Sequence, residues 1–264
     1  MAPNKGERLS VNKLHVGTMG WSYGFWVGSF YPKGLKPEEF LVEYSRHFNT
    51  VEVDSTFYRI PSKSTIMRWK TQTPSDFLFS AKFPKVITHE KMLRNCQEET
   101  RRFIENISLL QGKLGPLLLQ FPYEFKAEHV KLLSEFLSSL PRGYKFVVEV
   151  RNKRLLNEEL YSLLEANGVA LALVDHPFMP KVETITADFT YIRWEGDRRK
   201  VKGTLAEIEV DRMNDIKNWA EKIKASLTTS IEVFGYFSKY YSGKPFADVG
   251  QLLTFLGESS SPEL

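Results

Sequence analysis

The stretch TVEVDSTFYRIP, residues 50–61, begins like a β-strand, with Val51 and Val53 alternating with Glu52 and Asp54. Residues two apart in a strand share a face, so one face is valine and the other carries two carboxylates. On a sheet facing water this is ordinary. In a strand covered on both faces it places two acids where burial is costly unless they are paired. The other strand-like runs decide between these readings. FLFSAKF (77–83) ends with Ser80 and Lys82, LLLQF (117–121) with Gln120, and KFVVEVR (145–151) with Glu149 and Arg151. LALVD (171–175) finishes in Asp175, followed by His176. YIRWE (191–195) alternates Ile192 and Trp194 with Arg193 and Glu195, and VFGYFSKYY (233–241) carries Tyr236, Ser238 and Lys239. Polar residues gather late in nearly every run. A polar pocket at one end of a closed, buried sheet produces that pattern, whereas strands facing water scatter polar residues along their length. Buried ion pairs that fix strand register are the bland alternative.

Working outward, eight strands are expected: Leu14–Thr18, Thr50–Asp54, Phe77–Lys82, Leu117–Phe121, Phe146–Arg151, Ala170–Asp175, Tyr191–Glu195 and Ile231–Tyr236. Amphipathic segments of helical period lie between them: Pro37–Phe48, Ser62–Gln72, Glu98–Leu110, Glu128–Leu140, Asn157–Ala166, Asp211–Leu227 and Asp248–Phe255. Between strands six and seven, Pro177–Phe189 reads as an irregular loop. Eight strand–helix units in 264 residues match the roughly 250 residues of a (β/α)8 barrel. The expectation is therefore an α/β protein with a single TIM-type barrel over 1–264, and with residues 1–12 and 257–264 as flexible ends. An open doubly wound sheet would carry a G-x-G-x-x-G turn after the first strand, and GTMGWSYGFW lacks that spacing.

Composition narrows the class. Hydrophobic residues make up 42% and charged residues 26%, as in a globular protein. No apolar run reaches the ~20 residues of a membrane span, and MAPNKGERLSVNK has no apolar core of a secretory signal, so a cytoplasmic protein without a membrane partner is expected. The lone Cys96 excludes an internal disulfide and a cysteine-based zinc site. A net charge of +4 suits an anionic ligand but is too small to announce nucleic-acid binding. The run Asp197-Arg198-Arg199-Lys200 is expected to be a solvated loop.

The late strand positions name the chemistry. Glu52 and Glu149 are expected as a proton-transfer pair, with Lys82 as a base or carbonyl-reactive amine. Arg151 and Arg193 suit a carboxylate or phosphate by their forked donors. Asp54, Gln120, Asp175, Glu195, Tyr236 and Lys239 complete the expected substrate site, with Tyr23 and Tyr58 as contacts having polar tips. The first reading is an enzyme, a hydrolase or an isomerase or lyase, acting on a small anionic or sugar-like substrate. The second is metal-assisted phosphodiester hydrolysis on nucleic acid, with Glu52, Glu149, Asp175, His89 and His176 as divalent-metal ligands, although no H-x-x-H or H-E-x-x-H spacing is present. No cofactor is assigned. The third is a ligand-binding barrel without catalysis, in which the six aromatics of WSYGFWVGSFY (21–31) act as a stacking platform rather than as a plug at the mouth.

Seven segments in order resemble one family along nearly the whole chain: GTMGWSYGFWVGSFYP (17–32), VEVDSTFYRIP (51–61), WKTQTPSDFLFSAKFPKVITHEKML (69–93), LGPLLLQFP (114–122), VVEVRN (147–152), YIRWEG (191–196) and YYSGKPFADV (240–249). They are similar to domain-of-unknown-function family 72, the YecE-like family. The resemblance implies a β/α barrel and a distant kinship with barrels of the xylose isomerase and apurinic endonuclease kind. It implies no activity. The chain departs from the family pattern at Asp54, where Asn is usual, at Glu195, where His is usual, and at Ser238 and Lys239, where paired Asn is usual.

Overall fold

The computed structural model describes residues 13–257. Eight parallel strands run β1 (Leu14–Thr18), β2 (Thr50–Val53), β3 (Leu78–Lys82), β4 (Leu114–Gln120), β5 (Phe146–Glu149), β6 (Ala170–Asp175), β7 (Phe189–Trp194) and β8 (Glu232–Phe237). Each pairs with its sequence neighbour from β2 to β8, and β8 returns to β1, with Leu14 opposite Val233 and Thr18 opposite Phe237. The expected barrel is thus observed, nearly closed. The expectation for residues 1–12 and 258–264 lies outside the described residues, while Gly257 caps the last helix in the left-handed conformation, φ 80°.

The strands separate two apolar cores. Outward side chains such as Val51, Val53, Phe79 and Leu119 pack against the helices. Inward ones, including Leu118, Val147, Ala172, Phe189, Tyr191, Phe234 and Tyr236, fill the barrel itself. Each large apolar side chain so buried contributes about 1.5–3 kcal/mol. The barrel is therefore plugged at mid-height, with a charged network above the plug and Glu232, paired with His15 and Lys145 at 3.2 Å each, at its lower end.

The helices are α1 (Phe40–His47), α2 (Ser55–Tyr58), α3 (Lys63–Gln72), α4 (Gln97–Ile107), α5 (Val130–Ser139), α6 (Glu158–Ala166), α7 (Met213–Thr228) and α8 (Pro245–Leu256). Local chemistry sets their starts. Ser62 Oγ accepts from the Thr65 amide at 3.2 Å ahead of α3, and Asn157 Oδ1 accepts from Leu160 at 3.1 Å ahead of α6. α8 starts three residues before its expected beginning because Pro245, which lacks an amide hydrogen, sits at its first position. Residues 176–188 form no helix, as expected. Thr186 ties this loop down: its hydroxyl accepts from the Leu171 amide at 2.8 Å and donates to the Val169 carbonyl at 2.7 Å.

The seam between β1 and β2 has no regular ladder. A bridge joins Met19 to Glu52, and the Gly20 amide donates to the Glu52 carbonyl at 2.8 Å. Tyr44 of α1 inserts its hydroxyl below that point. It accepts from the Thr18 amide at 2.9 Å and donates to the Thr50 carbonyl at 3.1 Å. A side chain thus satisfies strand groups that would otherwise be buried unpaired. Gly17 makes room, because a Cβ there would lie 2.2 Å from the Thr50 carbonyl oxygen.

Candidate functional site

Arg193 stands at the centre of the barrel's upper end, 2% exposed and surrounded by carboxylates. Alternation along β7 turns it inward above Tyr191. Its Nε and Nη2 grip Glu52 at 2.9 and 2.7 Å, and its Nη1 donates to Glu149 at 2.6 Å and to Glu195 at 2.5 Å. Arg151 closes the network, 2.5 Å from Glu149 Oε1 in an ion pair poorly aligned for hydrogen bonding, and donating to Glu195 at 2.7 Å. Burial works against both guanidinium charges, but the surrounding glutamates outweigh it and raise both. Burial also works against the Glu195 charge, yet Arg193 and Arg151 hold that carboxyl well below the ordinary range.

Glu52 behaves differently. Burial pushes it up to about 7, against the pull of Arg193. Tyr191 donates its hydroxyl to Glu52 Oε2 at 2.6 Å, and Ser80 Oγ, 2.6 Å from that hydroxyl, donates to the Pro116 carbonyl at 2.8 Å.

A cavity of about 230 Å³ opens above this network at the C-terminal ends of the strands. Its lining holds five cations, Lys82, Arg151, Arg193, Arg198 and Lys239, against the two carboxylates of Asp54 and Glu195. Tyr23, Phe57, Tyr58, Gln120, Ser238 and Tyr240 complete most of the wall. Asp54 lies just past β2, at the start of α2. Thr56 of that short helix donates to the Lys82 carbonyl at 2.6 Å and so clamps the end of β3. Lys82 Nζ sits 4.2 Å above the Phe57 ring, and burial lowers its pKa. At the rim, Lys239 lies among the Tyr23, Phe25 and Tyr240 rings, and Arg198 stacks on Tyr240 at 4.7 Å. A second cavity shares Gln120, Arg151, Glu195 and Arg198 and adds Tyr123, His176 and Phe178. An apolar groove between α4 and α5, lined by Cys96 and Phe136, lies on the helical flank, away from the strand ends.

The structure brings together most of the expected residues but layers them. Glu52 and Glu149 are fully buried and address Arg193 from beneath the cavity rather than lining it. Tyr236 is also too deep for the expected contact, with its hydroxyl 2.8 Å from Thr50 Oγ1 inside the plug. Asp175 faces the wrong way: Val174 takes the inward place, and Asp175 accepts from Trp219 Nε1 of α7 at 2.8 Å and pairs with Lys181 at 3.1 Å. Tyr23 spends its hydroxyl on the Met19 carbonyl at 2.7 Å, and Tyr58 is 74% exposed on the rim. Of the 21–31 aromatics, Trp26 is buried against Phe30, Tyr31 and Phe246 and supports the fold.

The metal-ligand set does not assemble. Glu52 and Glu149 are bound to Arg193, Asp175 points outward, and His89, in the π-helical segment Val86–Glu90, and His176, in the loop after β6, are hydrogen-bonded to Thr88 Oγ1 and the Phe178 amide. Among the described residues no group of three or more His, Cys, Asp or Glu side chains is placed to hold a metal ion. Burial lowers the His89 pKa to about 4. Sequence reading missed Arg198, Phe57 and Tyr240. Arg198 was part of a run read as solvated loop, and Gly196 explains its position. That glycine (φ 71°) brings the segment after β7 so close to the segment after β8 that a Cβ would lie 2.0 Å from the Tyr240 carbonyl oxygen.

Comparison with known proteins agrees with the fold. The family model described as "Protein of unknown function DUF72" matches residues 15–263. UPF0759 protein YecE of Escherichia coli K12 is 34% identical over 181 residues, 65% of this chain and 64% of that protein. UPF0759 protein YunF of Bacillus subtilis is 27% identical over 179 residues, 62% of this chain and 61% of that protein. The chain thus aligns with less than two thirds of each of these relatives. A DUF72 family protein from Thermotoga maritima superposes with a TM-score of 0.80 at 28% identity, covering 93% of this chain and 99% of that one. One from Enterococcus faecalis gives 0.77 at 20% identity, over 95% and 99%, a likeness of fold. With the family model spanning nearly its whole length, this chain belongs to the DUF72 family.

Proposed function

We propose that the protein is an enzyme that takes a small anionic or sugar-like substrate into the mouth cavity and acts on it by proton transfer. The observation that carries this reading is the excess of cations, five against two, on the wall of a small cavity at the strand ends. Asp54 and Lys82 are the titratable groups that line the cavity from β2 and β3. Glu52 and Glu149 serve from below, holding Arg193 in place and storing a proton on Glu52.

Isothermal calorimetry with inorganic phosphate tests the anion site. Arg198 is the residue to remove, because its side chain is 70% exposed and only loosely paired, 4.0 Å from Glu195. Arg198→Ala is expected to weaken phosphate binding about tenfold, the scale of one charge-assisted hydrogen bond. Equal affinity in both chains, or no phosphate binding by the wild type, would remove the anion site. Arg151→Ala should weaken binding as well, but it also strips Glu149 and Glu195 of a partner.

A further inference from the structure

We propose that Lys82 is a carbonyl-reactive amine that condenses with the aldehyde or ketone group of a small anionic substrate to form an imine in the mouth cavity. The inference rests on the mouth cavity being the substrate site and adds the chemical class of the substrate.

The geometry sets Lys82 apart from the other cations there. Arg193 and Arg151 are consumed by the buried glutamates. Lys239 and Arg198 lie past the strand ends, in the segments after β8 and β7, whereas Lys82 is the last residue of β3 itself. Among the described residues, Lys82 Nζ has no carboxylate within 4.0 Å and donates no hydrogen bond, yet it lines the cavity. A lysine held only to make an ion pair would have a carboxylate in contact. Here the amine lies 4.2 Å from the centre of the Phe57 ring, a contact that by itself favours the ammonium, and lines the cavity.

The surroundings favour the neutral, nucleophilic form. Burial lowers the amine's pKa, and Arg193 adds to that, while Asp54, Glu149 and Glu195 oppose it. His89, in the π-helical segment Val86–Glu90 after β3, is pushed toward neutrality by burial and then by Lys82. Each unit of lowering raises the neutral fraction at pH 7 about tenfold.

The step balances with these groups and one proton from solvent. The Nζ lone pair attacks the carbonyl carbon, and one of the two Nζ protons passes to the carbonyl oxygen, giving a neutral carbinolamine. A second proton, taken up from solvent, then reaches that hydroxyl, the C–O bond breaks as water leaves, and the nitrogen lone pair closes the C=N bond of a protonated imine. Asp54, which lines the same cavity, is the acid–base group placed to pass the protons. Arg151, Arg198 and Lys239 offer the donors for the substrate's anionic end.

Reductive trapping tests this. The whole protein is incubated with pyruvate and sodium cyanoborohydride, whose hydride converts an imine into a stable secondary amine, and the adducts are located by peptide mass mapping. Lys82 is expected to gain the probe, less water and plus two hydrogens, about tenfold faster than the exposed Lys131 and Lys153. Acetone, of similar size but uncharged, is expected to label it more slowly. Labelling spread over surface lysines with Lys82 untouched would overturn the proposal, and the wild-type chain alone decides this. Lys82→Arg, checked by its melting curve, should lose the fast adduct. Trapping judges the amine and phosphate calorimetry judges the anion site. Phosphate binding without a Lys82 adduct sinks only the imine, and an adduct without phosphate binding sinks only the anion site.

Discussion

At the scale of the residue, Glu52 is the group whose charge state the fold controls most visibly. Its folded value lies near 7 against an ordinary 4.5, because burial disfavours the carboxylate more than Arg193 favours it. A raised value means that the fold binds the proton more tightly than the unfolded chain does. The resulting stabilisation is complete below about pH 4.5 and is lost as the pH rises through about 7. Asp248, buried and also pushed up to about 7, contributes with the same sign. Urea unfolding of the wild type should therefore lose more stability between about pH 5 and about pH 8 than unfolding of Glu52→Gln, whose side-chain oxygen can still accept from Tyr191. Parallel pH profiles for the two chains would show that the proton is not on Glu52. Glu149 sits in the same layer with a structural duty. Glu149→Gln leaves two guanidinium groups short of a buried partner, a loss expected to cost about 3–5 kcal/mol in the same measurement.

At the scale of the element, the strand runs were legible because period-two alternation and β-branched bulk act locally. β1, β3 and β6 fall within a residue of expectation at each end, while β4 begins earlier, at Leu114, where Gly115 and Pro116 obscured the run. Asp175 shows the limit of the method. It ends an apolar run, so sequence alone cannot say which face the last residue takes. The pleat gives the inward place to Val174 and leaves Asp175 to Trp219. Tyr44 was legible only as a helix residue, since its role depends on two strands that it does not belong to. Tyr44→Phe keeps the ring and removes the hydroxyl that serves the Thr18 amide and the Thr50 carbonyl. The expected cost is about 1–3 kcal/mol for buried groups left unsatisfied, with faster hydrogen exchange at the Thr18 amide. Unchanged exchange there would mean that the seam closes without it.

At the scale of the whole molecule, the sequence showed that a charged cluster lies at the C-terminal end of the barrel but not how it divides. Alternation places Glu52, Glu149 and Arg193 inward. Depth along the barrel axis then separates a buried lattice from a lined cavity, and depth depends on strand register and on loops that arrive from elsewhere. Arg198 reaches the mouth only because the segments after β7 and β8 touch through Gly196. The cavity wall is thus drawn partly from loops whose sequence reads as solvent.

The seam has a consequence for how the chain is made. β1 is synthesised before the other seven strands, yet its ladder partner is β8, with Leu14 waiting for Val233. On its other side it has only the Met19–Glu52 bridge, a few single hydrogen bonds and the Tyr44 hydroxyl. Throughout synthesis the nascent chain therefore carries an unpaired edge that can pair with a neighbouring polypeptide. Translation arrested after Thr228, before β8 exists, should yield chains that bind holding chaperones and are cut readily by protease near β1, whereas release of the complete chain should end both.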